Sequence, residues 1–149
     1  MRIAIAADHN GVPMKSQLAE WLVAQGHEVD DRGAHDAEVV DYPPLCADLG
    51  ARIVDGHADR GIVIGGTGGG EAIACNKLRG IRAGLGHSVF LAEISAAHNN
   101  TNVLVLGAKV IDTPEAVAIT DTWLTTPFKG GRHQKRLDQI EALERGEPL

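Results

Sequence analysis

The sequence has few aromatic residues and no long basic or apolar segment. Phe, Trp and Tyr make up 3% of the chain and the net charge is −6, which argues against the basic and aromatic surfaces that bind nucleic acids or anionic membranes. No apolar run approaches the ~20 residues that span a bilayer, and the chain enters a strand directly instead of a signal peptide. We therefore expect a cytoplasmic protein with neither a nucleic-acid nor a membrane partner.

Cysteine is also scarce. The two cysteines, Cys46 and Cys75, form neither a C-x-x-C motif nor a zinc-binding spacing. Small buried thiols are common in protein cores. We therefore interpret both as core residues and not as metal ligands or nucleophiles.

The 149 residues suit one domain, 1–149. Short apolar strands alternate with helices of about 10–12 residues, the pattern of a parallel sheet covered on both faces. The sequence predicts an α/β, three-layer doubly wound (Rossmann-like) fold with a five-stranded parallel sheet. Strands are predicted at 2–7, 28–31, 61–64, 81–85 and 103–106, and helices at 13–25, 45–55, 69–78, 88–97, 113–124 and from about 132 to 145.

A glycine-rich loop, residues 65–70, follows the third strand and opens a helix. Its five glycines surround Thr67 and can bring several backbone N–H groups to an anion. A Walker A loop would continue with Lys and Ser or Thr, where this chain has Glu71 and Ala72. The dinucleotide pattern would need a third glycine at position 71. The loop is therefore typical of an anion site, but not of a nucleotide site.

Glu71 has two interpretations. It is either a base beside an oxyanion that develops during a reaction or an acid in a first helical turn that complements the helix dipole. The Asp8-His9 pair follows the first strand. Because parallel strands end at the same edge of a sheet, we expect this pair to share one cleft with the glycine loop.

Two polar clusters lie outside that cleft in the predicted topology. The run 98–102, which begins with His98, follows a helix that returns to the amino edge of the sheet. His98 could act in the cleft only if a partner subunit supplied it; otherwise the run is an asparagine-rich helix cap and turn. Basic residues at 132, 133, 135 and 136 open the last helix, where they either grip an anion or form a solvated face paired with Asp and Glu.

Taken together, the motifs resemble ribose-5-phosphate isomerase type B, in the family that also contains galactose-6-phosphate isomerase subunits. The similarity covers nearly the whole chain, in order and at similar spacings. The motifs that carry it are Ala7-Asp8-His9, Asp41-Tyr42-Pro43, Gly66-Thr67-Gly68-Gly69-Gly70, Ala74-Cys75-Asn76-Lys77, Gly80-Ile81-Arg82-Ala83, His98-Asn99-Asn100-Thr101-Asn102-Val103-Leu104 and Gly130-Gly131-Arg132-His133.

The resemblance implies an aldose–ketose isomerase that interconverts ribose 5-phosphate and ribulose 5-phosphate through an enediolate, without a metal or cofactor. Many members carry a cysteine base where this chain has Gly65, and the other branch uses a glutamate that matches Glu71. His98 and Asp8 would open the sugar ring, and Thr67 would stabilise the enediolate with the loop amides. The implied substrate-binding residues are His9, Gly66, Gly68, Gly69, Gly70, Asn99, Lys109, Arg132, His133 and Arg136.

The resemblance also implies a homodimer whose active site is shared across the interface, with a tetramer still open. Lys109 replaces an arginine found in many relatives, and 86–90 departs from the commoner sequence. Two alternatives therefore remain. One is the same chemistry on erythrulose 4-phosphate, allose 6-phosphate or galactose 6-phosphate, and the other is a phosphosugar-binding module without catalysis.

Overall fold

The computed structural model describes all 149 residues as five strands and six helices. None of the helices is both long and apolar enough to cross a bilayer. The strands are β1 Arg2–Ala7, β2 Glu28–Asp31, β3 Arg60–Gly65, β4 Ala83–Leu85 and β5 Val103–Gly107. The helices are α1 Val12–Ala24, α2 Tyr42–Val54, α3 Gly69–Cys75, α4 Val89–Asn99, α5 Thr113–Thr125 and α6 Arg132–Glu144.

All five strands are parallel and lie in the order β2-β1-β3-β5-β4. Alternate residues of β1 pack on opposite faces: Ile3 and Ile5 belong to one core cluster, and Ala4 and Ala6 to the other. Burial on both faces is why the three central strands, β1, β3 and β5, are nearly continuous apolar runs in the sequence. The predicted fold class is confirmed.

The helices form a layer on each side of the sheet. Apolar residues of α1, α4 and α5 complete the core cluster on one face, and those of α2 and α3 complete the cluster on the other. Helix α6 packs against α4. The three layers place both ends of every central strand at an exposed edge, where loops carry the polar side chains.

Several predicted element bounds are wrong. Helix α2 begins at Tyr42 and not near Leu45, because Pro43 and Pro44 occupy its first turn, where a missing N–H is tolerated. Helix α3 ends at Cys75 and β4 begins only at Ala83.

Helix α5 begins at Thr113, as predicted, and is capped by Asp112, whose side chain accepts from the Glu115 N–H in a capping box. Helix α4 extends to Asn99, so His98 lies in its last turn. Asn100 follows as the cap with φ of 45°, which confirms the asparagine-rich helix cap.

A buried hydrogen-bond network fixes the amino edge of the sheet just after α4. The Thr101 hydroxyl accepts from Trp123 Nε1 at 2.8 Å and lies 2.8 Å from the Ser95 hydroxyl. Arg60 stacks 4.8 Å from the Trp123 ring centroid and donates to the Trp123 carbonyl. The network ties β3, α4 and α5 together where the chain turns from α4 into β5.

We expect Thr101→Val to lower the free energy of unfolding by about 1–3 kcal/mol, because Trp123 Nε1 would lose its acceptor in a buried site. Urea unfolding of Thr101→Val and of a control, Thr122→Val, measures this. Thr122 lies on α5, and its hydroxyl donates only to a carbonyl of its own helix. Equal stability of the two variants would show that the network contributes nothing.

Candidate active site

Strands β1 and β3 are neighbours, so the polar residues after them meet at the carboxyl edge of the sheet. The Asp8 N–H donates to the Ile64 carbonyl at 3.0 Å. This bond fixes the Asp8-His9 turn beside the glycine loop. The predicted convergence of these two motifs is therefore present in the structure.

The end of β5 holds the glycine loop in place from the other side. The N–H groups of Ala108 and Lys109 donate to the carbonyls of Gly65 and Gly66, each at 2.9 Å. A Cβ built on Gly107 would lie 2.7 Å from the Thr67 carbonyl oxygen. Only glycine permits this approach, so β5 also sets the position of the loop.

His87, for which the sequence offered no role, also contacts the loop. Its Nε2 lies 2.9 Å from the Thr67 carbonyl oxygen and donates to it. His87 follows the edge strand β4, in the segment that departs from the commoner family sequence. That departure was the only signal in the sequence, and it did not indicate a partner.

Glu71 lies in the first turn of α3 and is only 4% exposed. A Cβ built on Gly65 would overlap the Glu71 carboxylate, so this carboxylate fills the space that a side chain at position 65 would take. Burial, together with the nearby Asp8 charge, raises the pKa of Glu71 above its ordinary value of 4.5. An acid that served only the helix dipole would gain nothing from such burial.

A second group of predicted site residues lies at the amino edge, around the end of α4 and the start of α6. The His98 and His133 rings stack with centroids 4.0 Å apart and an angle of 14° between them. His133 is 6% exposed. Burial, and the positive charges of His98, Arg132 and Arg136, lower the pKa of His133 below its usual 6.5.

The basic start of α6 has no acidic partners. No salt bridge in the structure includes Arg132, Lys135 or Arg136. One alternative was that these residues form a solvated face paired with Asp and Glu. The pairing in that alternative is wrong. These unpaired cations form a positively charged patch at the start of α6, beside His133 with its lowered pKa.

Within one chain the two groups stay apart. Asp8, His9, Thr67, Glu71 and the loop glycines lie at the carboxyl edge, whereas α4 delivers His98 and Asn99 to the amino edge. The Lys109 side chain passes over Gly66, with its Cδ 3.6 Å from a Cβ built there. A groove of about 380 Å³ between α6 and β4 includes Asn99 but none of the carboxyl-edge residues.

Cys46 and Cys75 are buried and free, which confirms their interpretation as core residues. The adjacent Cys75 thiol and burial raise the pKa of the Cys46 thiol above its ordinary value. No cluster of three or more His, Cys, Asp or Glu side chains is arranged to hold a metal ion.

The fold and the site define a parallel α/β protein with a buried carboxylate beside a glycine-rich loop. The model of the Ribose/Galactose Isomerase family matches residues 3–140, and the chain belongs to this family. The resemblance found in the sequence is thereby confirmed.

Individual relatives align over nearly their whole length. Ribose-5-phosphate isomerase B of Escherichia coli is 41% identical over 143 residues, 96% of each chain. The enzyme of the same name from Mycobacterium tuberculosis is 41% identical over 148 residues, 97% of this chain and 91% of the relative. The structure of Clostridium thermocellum ribose-5-phosphate isomerase B superposes with a TM-score of 0.97 and 42% identity, over 98% of this chain and 99% of that one.

We expect Gly65→Ala to destabilise the protein by about 1–3 kcal/mol, as overpacked core substitutions do, because the new methyl group meets the Glu71 carboxylate. In a Glu71→Ala background the same substitution should cost less. A double-mutant cycle of unfolding free energies measures the difference. Effects that add within about 0.3–0.5 kcal/mol would show that the two side chains do not compete for one space.

Proposed function

We propose that this protein interconverts ribose 5-phosphate and ribulose 5-phosphate through an enediolate, with Glu71 as the base. The observation that carries the proposal is the buried Glu71 carboxylate, placed between the glycine loop and Asp8 in a chain of this family. The names of the relatives support the same substrate, since those from E. coli and M. tuberculosis are ribose-5-phosphate isomerases.

Glu71 would take the proton from C2 of the open-chain aldose and return it to C1. The negative charge then develops on O1, and a proton passes from O2 to O1 before C1 is protonated, so that the carbonyl ends at C2. Thr67 and the N–H groups of Gly68, Gly69 and Gly70 would stabilise the charge, and removal of one such donor typically costs about 2.7–4 kcal/mol in barrier height. The raised pKa makes the Glu71 carboxylate a stronger base than that of an ordinary glutamate.

Ring opening and phosphate binding would need groups from both edges of the sheet. Asp8 at the carboxyl edge and His98 at the amino edge would move the protons that open the furanose. His9, Lys109 and Gly66 would contact the substrate at the loop. The positively charged amino-edge residues would hold the phosphate: Asn99, Arg132, His133 and Arg136.

Because one chain does not join these edges, the proposal includes a homodimer in which each active site takes His98 and the basic patch from the partner subunit. Large apolar side chains on and beside the edge strand β4 support such an interface. Leu85, Val89, Phe90 and Ile73 are 37%, 45%, 66% and 66% exposed. Exposed apolar groups next to an unpaired strand edge are typical of association surfaces.

We expect proton NMR of ribose 5-phosphate in D₂O to show ribulose 5-phosphate forming with deuterium at C1, the carbon that receives the proton. Glu71→Gln keeps the shape of the side chain but removes the base. Its rate should fall by about 10²–10⁴-fold, the usual contribution of a general base.

A Glu71→Gln variant as active as the wild type would overturn the base assignment. If the wild type does not turn over ribose 5-phosphate, the same spectra with tetrose and hexose phosphates identify the substrate. Tight binding without turnover of any of them, unchanged in Glu71→Gln, would instead indicate a binding module.

A further inference from the structure

Asn10 is a side chain without an assigned role that touches two residues of the candidate site. It lies in the turn between β1 and α1. Asp8 Oδ1 accepts from the backbone N–H groups of Asn10 at 2.8 Å and Gly11 at 3.2 Å, and Asp8 Oδ2 accepts from Asn10 Nδ2 at 2.9 Å. Asn10 therefore supplies two of the three donors to this carboxylate.

These bonds matter because Asp8 is 6% exposed and takes part in no salt bridge. A buried carboxylate without a cationic partner depends on hydrogen-bond donors to stay charged and in place. Without the Asn10 amide, Oδ2 would have no donor from the chain. The side chain of Asn10 thus fixes the rotation of the Asp8 carboxylate.

The same amide group also determines the state of His9. A carboxylate only accepts hydrogen bonds, so the NH₂ end of Asn10 must face Asp8. Its second hydrogen is directed to His9 Nε2, 3.2 Å from Nδ2. Because an NH₂ group cannot accept in return, Nε2 must carry the lone pair, and the proton of the neutral ring lies on Nδ1.

His9 Nδ1 is buried and has no hydrogen-bond partner within the chain. A buried N–H without an acceptor is costly, so its presence calls for an explanation. The Asn10 amide also lies against the glycine loop, with Nδ2 3.5 Å from a Cβ built on Gly66. The bond from the Asn10 amide to Nε2 is the only hydrogen bond of the His9 ring within the chain, so this bond alone selects the tautomer.

We propose that Asn10 is a positioning residue that locks the Asp8 carboxylate and holds His9 with its proton on Nδ1 and with Nε2 accepting from the Asn10 amide. The proposal deepens the proposed function and rests on it for the roles of Asp8 and His9. The tautomer of His9 and the contact with Asp8 do not depend on which sugar binds.

The first test is ¹⁵N NMR of the uniformly labelled protein, in which the two ring nitrogens of His9 show which one is protonated. The wild type should have the proton on Nδ1. Asn10→Ala removes the hydrogen-bond donor to His9 Nε2, so the ring should shift towards the Nε2–H form. A wild-type ring with its proton on Nε2 would overturn the proposal.

The second test compares the activity of two variants that differ in shape and in donors. Asn10→Ala should lower kcat/KM by about 10–100-fold, the loss of a hydrogen bond to a charged group. Asn10→Asp keeps the shape but places a second carboxylate against Asp8, so its loss should be larger. If Asn10 only filled space, Asn10→Asp would be the milder change, and that order would overturn the proposal.

Ser16→Ala is the matched control for both tests, because Ser16 lies on α1, is exposed and donates only to a carbonyl of its own helix. Thermal unfolding of each variant separates a loss of activity from a loss of fold. If ribose 5-phosphate is not a substrate but the His9 tautomer changes as described in Asn10→Ala, the proposed function fails and the role of Asn10 stands.

Discussion

The site depends on one steric constraint, which is that position 65 and the Glu71 carboxylate share the same space. Because Gly65 has no side chain, the carboxylate can turn inward from α3 and lie buried beside Asp8. Burial and the Asp8 charge then raise the pKa of Glu71. A cysteine at position 65, as in many members of the family, would need the volume that the carboxylate occupies. The proposed glutamate base and a cysteine at position 65 would therefore compete for one place in the fold.

Hydrogen bonds from the neighbouring strands fix the position of the glycine loop and of Glu71 behind it. Strands β1 and β5 flank β3, so hydrogen bonds from Asp8, Ala108 and Lys109 fix the loop from both sides. At the opposite edge, the network of Thr101 and Trp123 sets the end of α4 and with it the stacked pair of histidines. The two edges lie at opposite ends of the same strands. A doubly wound fold thus places the two groups of predicted site residues at opposite ends of the strands, where a single chain does not join them.

The features that could be predicted from the sequence are those that depend on the local pattern of residue types. Apolar runs and glycine punctuation located all five strands, and the glycine loop and the basic start of α6 were recognisable from residue type alone. The local pattern missed the start of α2 because two prolines suggest a loop, although a first helical turn accepts them. It also gave no role to His87 or Asn10. Their hydrogen bonds with Thr67, His9 and Asp8 depend on loop geometry and strand order, which spacing along the chain does not reveal.

In the proposed homodimer, each active site combines Glu71 of one chain with His98 of its partner. Mixing two inactive variants, Glu71→Gln and His98→Asn, tests it directly after joint unfolding and refolding. In a symmetric dimer, random pairing should leave about a quarter of the sites with both native residues, and so restore about a quarter of the wild-type activity. A mixture that forms mixed dimers but stays as inactive as the separate variants would contradict the claim, because both residues would then have to act within one chain.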